Sequence, residues 1–190
     1  MLKSKLVKVK TWIKTEISPK RYEHIQGVAR TSRKLAVRYG LPADQAELAG
    51  WLHDCAKELQ KDEMKNWIGK GLSRLDTTEE KIPALWHPHA GASIAFHQWK
   101  VKNPRILEAI RCHTLGGSTM MPLAQIVFVA DFIEPGRDFE GVSKVRMAAF
   151  KDLNQALLMK CSMTISHLLN NNLKIHPRLL ETWNSFLGKK

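Results

Sequence analysis

The sequence is short of cysteine, of long apolar runs and of acidic residues, and each shortage removes a class of protein. Three cysteines, Cys55, Cys112 and Cys161, are too few and too unevenly placed to make a disulfide framework, which fits a reducing cytosol. Each reads as a small buried hydrophobe. Cys55 follows Asp54 and Cys112 precedes His113, but without a CxxC pair neither is taken as a metal ligand. No apolar run approaches the roughly 20 residues that span a bilayer. The stretch from Leu123 to Ile133 is short and already contains Gln125 and Asp131. Met1 to Lys10 alternates lysines with apolar side chains and has no apolar segment followed by a small-residue cleavage site, so no secretory signal is read and a cytoplasmic protein is expected. Period-two strand patterns, internal repeats, low-complexity stretches and linkers are missing as well.

What remains is 190 residues, 44% hydrophobic, enough for one domain with a sizeable core. Thirty lysines and arginines against eighteen aspartates and glutamates give a net charge of +12. Polyanions are therefore attracted, whether phosphate-bearing substrates or nucleic acid. Charge alone does not choose between them, and the lysine-rich start and the Lys189–Lys190 end inflate the total.

Helical spacing runs through the chain. Leu2, Leu6, Val9, Ile13 and Ile17 fall near one face, so residues 1–17 read as a basic, helical N-terminal segment and 18–190 as the main domain. Ser18 and Pro19 look like a cap and first helical position, and the following helix stops at Gly40. Pro42 opens a helix running towards Lys57, which puts His53 and Asp54 near its C-terminal end. A short helix is expected around Glu63 to Ile68, with the rest of 60–83 loosely assigned. Pro88, Asn103–Pro104 and Pro122 each start a helix, the last running to Phe132. Further helices are read over 142–150, 153–169 and 177–187. The expected fold is all-α, a single helical bundle.

Adjacent His53 and Asp54 would project about 100° apart on a helix, so partners for a shared metal must come from other helices. An imidazole offers a neutral nitrogen and an aspartate a charge that can bridge, which suits two borderline or hard divalent ions. His24, His87, His113 and Asp131 are the candidates. Asp131 is flanked by Phe128, Val129, Phe132 and Ile133, where a carboxylate is costly to bury without a cation. Any one of these histidines alone would read as an ordinary core or surface side chain, so the ordered set carries the argument. Lys57 reads alternatively as a cation at a helix C-terminus, and Arg137 as a turn residue pairing with Asp138 or Glu140. The large tryptophans read as core, and no base-binding residue is assigned.

From Arg21 to about Asn184 the chain resembles the bacterial YqeK-like HD proteins, symmetrical bis(5'-nucleosyl)-tetraphosphate hydrolases. The resemblance is carried by Arg21-Tyr22-Glu23-His24 with Gly27-Val28, by Leu52-His53-Asp54-Cys55-Ala56-Lys57, and by Leu85-Trp86-His87 with Gly91-Ala92. It continues in Ala109-Ile110-Arg111-Cys112-His113-Thr114 with Gly116, and is densest in Val129-Ala130-Asp131-Phe132-Ile133-Glu134-Pro135-Gly136-Arg137. It implies an HD-domain bundle with its metal site between helices. It implies iron, in one or two ions that manganese or cobalt can replace, with His24, His53, Asp54 and Asp131 holding the first and His87 and His113 facing a second or the phosphates. Lys57, His87, His113, Thr114 and Arg137 are implied phosphate contacts, and Asp54, Lys57, His87 and His113 the catalytic group. The implied reaction is metal-assisted attack of water on the dinucleoside polyphosphate, with diadenosine tetraphosphate giving two ADP.

Two departures from the family pattern stand out. Gly117-Ser118 replaces a common glycine-following arginine and Gln125 a common lysine, which points to weaker phosphate affinity. Pro88-His89-Ala90 adds an imidazole, and His89 reads as a surface residue at a helix N-terminus rather than a ligand. Three alternatives stay open: an HD phosphohydrolase of another nucleotide, a basic nucleotide- or RNA-binding protein with a vestigial site, and a di-iron site for oxygen chemistry. Neither a membrane nor nucleic acid is expected as a partner, and a homodimer is left open.

Overall fold

A computed structural model describes residues 2–188, so Met1 and the Lys189–Lys190 end lie outside the described residues. The chain forms α1 (Leu2–Glu16), α2 (Pro19–Arg38), α3 (Ala43–Leu52), α4 (Lys61–Ile68), α5 (His87–His97), α6 (Pro104–Cys112), α7 (Pro122–Ile133), α8 (Val142–Lys151), α9 (Leu153–Asn170) and α10 (Pro177–Phe186). Two 3-10 turns, Glu79–Lys81 and Pro83–Leu85, lead into α5, and no strand occurs among the described residues. No helix among them is long and apolar enough to cross a membrane.

Local chemistry sets most of these boundaries. The Ser18 hydroxyl accepts from the Arg21 N–H, Asn103 from Arg105 and Asp152 from Gln155, each satisfying a donor the helix leaves free. Proline stands in the first turn of α2, α5, α6, α7 and α10, where its missing N–H costs nothing. Gly40 leaves α2 at φ +65°, a conformation that favours glycine. In the loosely assigned stretch, α4 starts with a reciprocal capping box between Gln60 and Glu63.

One expected helix is too long. α3 ends at Leu52, and His53 and Asp54 lie in tight turns beyond it, closed by Cys55 N–H to Leu52 O and Lys57 N–H to Asp54 O. The His53 ring donates to the Gly50 carbonyl at 2.7 Å and so satisfies an acceptor at the helix end that a further turn would otherwise have taken. His53 keeps helical dihedrals as the cap of α3, and both side chains turn towards the same centre.

α7 is the axis of the bundle. Leu123, Ala124 and every residue from Ile126 to Ala130 are buried, because α2, α3, α6 and α9 surround it. α2 lies against α3 closely enough that a Cβ on Gly50 would stand 2.6 Å from the Ala29 Cα. α5 covers α6, α8 and α10 pack on α9, and α1 packs on α3 through the fully buried Val9 and Ile13. The ends of α3 and α6 and the start of α5 thereby meet α2 and α7 at one place.

Candidate metal centre

At that place the sequence-predicted ligands converge. His24 comes from the second turn of α2, His53 and Asp54 follow α3, His87 opens α5, His113 follows α6, and Asp131 lies on α7. His24 Nε2 is 3.2 Å from Asp131 Oδ1 and 3.3 Å from His53 Nε2. Both imidazoles lie 3.7 Å from Asp54 Oδ2. On the other side, His87 Nε2 and His113 Nε2 lie 3.2 and 3.4 Å from Asp54 Oδ1 and 3.1 Å from each other. The Asp54 carboxylate thus stands between two histidine pairs, one oxygen towards each.

The second nitrogen of each ring decides what the first can do. His53, His87 and His113 present Nδ1 to the carbonyls of Gly50, Ala84 and Ile110 at 2.7, 2.8 and 2.7 Å. A carbonyl only accepts, so the proton sits on Nδ1 and Nε2 is a bare lone pair. His24 differs, since its Nδ1 meets the buried Glu134 carboxylate at 3.2 Å. The Nε2 lone pairs of His53 and His113 therefore face neighbouring imidazoles and carboxylates, while Lys57 Nζ at 3.4 Å and Thr114 Oγ1 at 3.5 Å stand beside that of His87. Divalent cations resolve that repulsion, and four imidazoles with two carboxylates are a donor set for borderline ions. His24, His53 and Asp131, and likewise His53, Asp54 and His113, each offer ligand atoms within 4.8 Å of one another.

The electrostatics agree. Burial pushes the His53 imidazole down to about 3 and His87 down to about 4, so both are neutral and free to ligate near neutral pH. Burial alone would raise the Asp54 carboxyl, but the surrounding His53, His113 and His87, once they take up protons in acid, hold it well below its ordinary value. Burial likewise opposes ionisation of Asp131, and Lys160 and His24 overcome it.

The remaining expected site residues stand close by. Lys57 Nζ is 3.3 Å from His87 Nδ1, and burial lowers its pKa. Thr114 Oγ1 is 3.5 Å from His87 Nε2. Arg137 closes a turn from Glu134 but pairs with neither Asp138 nor Glu140. Its Nη2 donates to Asp131 Oδ1 and its Nε to the Asp131 carbonyl, both at 3.0 Å. Gln125 donates to the Met120 carbonyl, and Gly117 and Ser118 line a separate cleft with Arg74, Arg111 and Arg178.

His89 is a correction. It is 3% exposed, with Nε2 3.0 Å from Glu79 Oε1 and Nδ1 2.9 Å from Ser73 Oγ. The loop before α5 folds over the helix start, so the position meets protein rather than water. Glu79 belongs to a second cluster with Asp76, His176 and Arg178, whose guanidinium reaches Asp76 and Glu79 at 2.7 Å each. Cys112, expected to be buried, is half-buried.

Three neighbours were not anticipated. Arg21 Nη1 donates to Asp54 Oδ2 at 2.8 Å. Glu134 accepts from the Gly136 N–H at 2.6 Å while holding His24, and fills the space beside Gly27, where a Cβ would stand 3.2 Å from its carboxyl carbon. Lys160 is 4% exposed, donates to the carbonyls of His113 and Phe128, and lies 3.6 Å from Asp131 Oδ2. Arg21 and Glu134 sit inside recognisable motifs. Lys160 was signalled only by its spacing from buried Ala156 and Leu157, which puts it on the inward face of α9.

Beside His24 a cleft of about 490 Å³ opens between α2 and the segment 134–137, bordered by Lys20, Arg21, Arg30 and Arg137. Cations thus stand next to the ligand cluster, an arrangement suited to a phosphate chain.

Comparison with known proteins agrees with this chemistry. The profile of the family described as HD domain matches residues 21–136. A symmetrical bis(5'-nucleosyl)-tetraphosphatase of Bacillus subtilis (strain 168) is 38% identical over 172 residues, 90% of this chain and 92% of that protein. The protein of the same description from Halalkalibacterium halodurans is 39% identical, covering 92% of this chain and 93% of its own length. A crystal structure from Clostridium acetobutylicum, described as a predicted HD superfamily hydrolase involved in NAD metabolism, superposes with a TM-score of 0.91 at 33% identity, covering 96% of this chain and 97% of that one.

Proposed function

Because the chain belongs to the HD-domain family of symmetrical bis(5'-nucleosyl)-tetraphosphatases, we propose that it hydrolyses diadenosine tetraphosphate at the central anhydride to give two ADP. The observation that carries the reading is the Asp54 carboxylate between two pairs of imidazoles, three of which give Nδ1–H to a backbone carbonyl and turn Nε2 inward. Water oxygen bonds to one inner phosphorus, the central bridging oxygen leaves with the other nucleotide, and one water is consumed for each pair of ADP molecules.

His24, His53, Asp54 and Asp131 would hold the first divalent ion, and His87 and His113, with the second Asp54 oxygen, another ion or the phosphates themselves. Bound divalent ions supply an acidified water and neutralise charge on the phosphoryl oxygens. Asp54 orients both halves of the site and is itself oriented by Arg21. Arg137, Lys57 and Thr114 grip the phosphate chain, and Lys57 beside His87 offsets charge on the departing diphosphate. Glu134 fixes the His24 ring, while Lys160 holds Asp131 and the His113 carbonyl in register.

In this reading the ions are iron, in a dinuclear site that manganese or cobalt can occupy, a choice supported by the mixed imidazole and carboxylate donors. The hydrolase domain is 18–190, with the basic segment 1–17 added to it, and the setting is the cytoplasm, supported by the free thiols of Cys55, Cys112 and Cys161. Incubating anaerobically purified, iron-loaded protein with diadenosine tetraphosphate and separating the products tests the proposal. ADP alone is expected. ATP with AMP contradicts the symmetrical cut, and intact substrate beside consumption of another nucleotide changes the substrate but not the site. Binding of nucleotides without hydrolysis replaces the enzyme by a binding protein.

A further inference from the structure

We infer that one nucleoside diphosphate half of the substrate lies along α2, with its phosphates in the cationic cleft beside His24 and its purine in an apolar cleft between α2 and α8. The inference rests on the hydrolase reading and adds to it a surface for the base.

A symmetrical cut at the metal centre requires the two halves of the substrate to leave it in different directions. Lys57 and Thr114 mark one side of His87, and the cleft bordered by Lys20, Arg21, Arg30 and Arg137 opens from the opposite, His24 side. Of the three carboxylates that line the cleft, Glu23 is exposed at its rim and the other two are already occupied. Glu58 accepts from the Ser18 N–H and hydroxyl, and Glu134 holds His24 and Gly136. Lys20 and Arg30 make no ion pair among the described residues, and so are available to phosphate.

An apolar cleft of about 340 Å³ adjoins the cationic one at Pro135, which borders both. Its other walls include Lys34, Ile133, Met147 and Phe150. Met147 is 70% and Phe150 39% exposed, two large apolar side chains left open beside the active site. His24, Gly27, Thr31 and Lys34 follow one another along one face of α2. From His24 to Thr31 is seven residues, a rise of about 10 Å, comparable to the length of ADP from its terminal phosphate to its purine. The order of the surface matches the order of the ligand: ligand cluster, cations, then an apolar slot for an aromatic ring.

The slot is anchored to the catalytic segment. Arg146 of α8 donates to the carbonyls of Ile133, Glu134 and Arg137. The wall carrying Met147 is therefore tied to the same turn that presents Arg137 and steadies His24.

Photolabelling of the metal-loaded full chain with 8-azido-ADP, followed by peptide mapping, tests the path directly. The label is expected within 142–151 and is expected to fall away with excess ADP. The variant Met147→Ala/Phe150→Ala should raise KM for diadenosine tetraphosphate about tenfold, the scale of losing one base-stacking contact, with metal content unchanged and kcat within about twofold. Met147→Glu, at a side chain that is mostly in solvent, is the companion should the double change disturb α8. Absence of competed label from 142–151, or a wild-type KM in both variants, overturns the inference. A wild-type protein that yields no ADP overturns the hydrolase reading instead, and the labelling still decides the position of the nucleotide.

Discussion

The cluster around Asp54 and the cluster around Glu79 are made of the same ingredients, histidines and carboxylates brought together from separate elements, yet their protons are arranged in opposite ways. Around Glu79, His89 and His176 each face a carboxylate, at 3.0 and 3.1 Å, and Arg178 spans both acids. Every donor there has an acceptor. Around Asp54, three imidazoles give their only proton to backbone carbonyls and turn lone pairs inward. The first arrangement is a finished ion network that ties the 73–79 loop to α5 and α10. The second is complete only with cations from outside. Proximity of ligand-type residues, which both clusters have, is therefore a poor guide to metal binding, and the fate of the second imidazole nitrogen is a better one.

The largest expected effect separates the clusters outright. Asp54→Ala should lose both metal retention and activity, the latter by roughly a thousandfold or more, with helical content kept because the core lies in apolar helix faces. Elemental analysis, turnover and circular dichroism read the three quantities. Glu79→Gln should keep metal and activity but unfold more easily, by about 2 kcal/mol, since it leaves buried His89 without its charged acceptor and half-buried Arg178 with Asp76 alone. Thermal melting measures it, and loss of metal with unchanged stability would erase the distinction between the two clusters.

Much of this was legible in the sequence for identifiable reasons. The helix starts at Pro19, Pro104, Pro122 and Pro177 follow from proline and cap chemistry, which act locally. Asp131 stood out because a carboxylate among buried apolar neighbours needs a partner. The partners include Lys160 and Arg137 as well as His24, and Lys160 sits on α9, where no local pattern links it to α7. The end of α3 was misjudged because apolar spacing continues past Leu52, where the backbone bonds tighten into successive turns. His89 was misread because a loop without periodicity covers it, and exposure at a helix N-terminus is decided by what folds over it.

A finer comparison lies inside the metal centre, between His24, backed by a carboxylate, and the three histidines backed by carbonyls. Glu134→Gln keeps an acceptor for His24 Nδ1 and removes its charge. Metal affinity should fall about 10-fold to 100-fold, read by competition with a chelator, with the melting temperature of the metal-free protein little changed.

The smallest effect is a pH dependence in the Glu79 cluster. Burial would raise Asp76 and Glu79, but bonds from the Glu79 N–H and His176, and from His89 and the Asp76 N–H, hold both carboxyls below their ordinary values. A depressed carboxyl contributes its full stability above its unfolded value, about 4, and loses it as pH falls through the lower folded value. The gap in melting temperature between metal-free wild type and Glu79→Gln should therefore be constant near neutrality and narrow below about pH 4. A gap that widens on acidification would contradict the assignment.

Anomalous scattering from crystals grown with iron or manganese tests the central claim most directly. Metal peaks are expected among His24, His53, Asp54, His87, His113 and Asp131, and none between Asp76, Glu79 and His176. A peak in the second cluster, or none in the first, would contradict it.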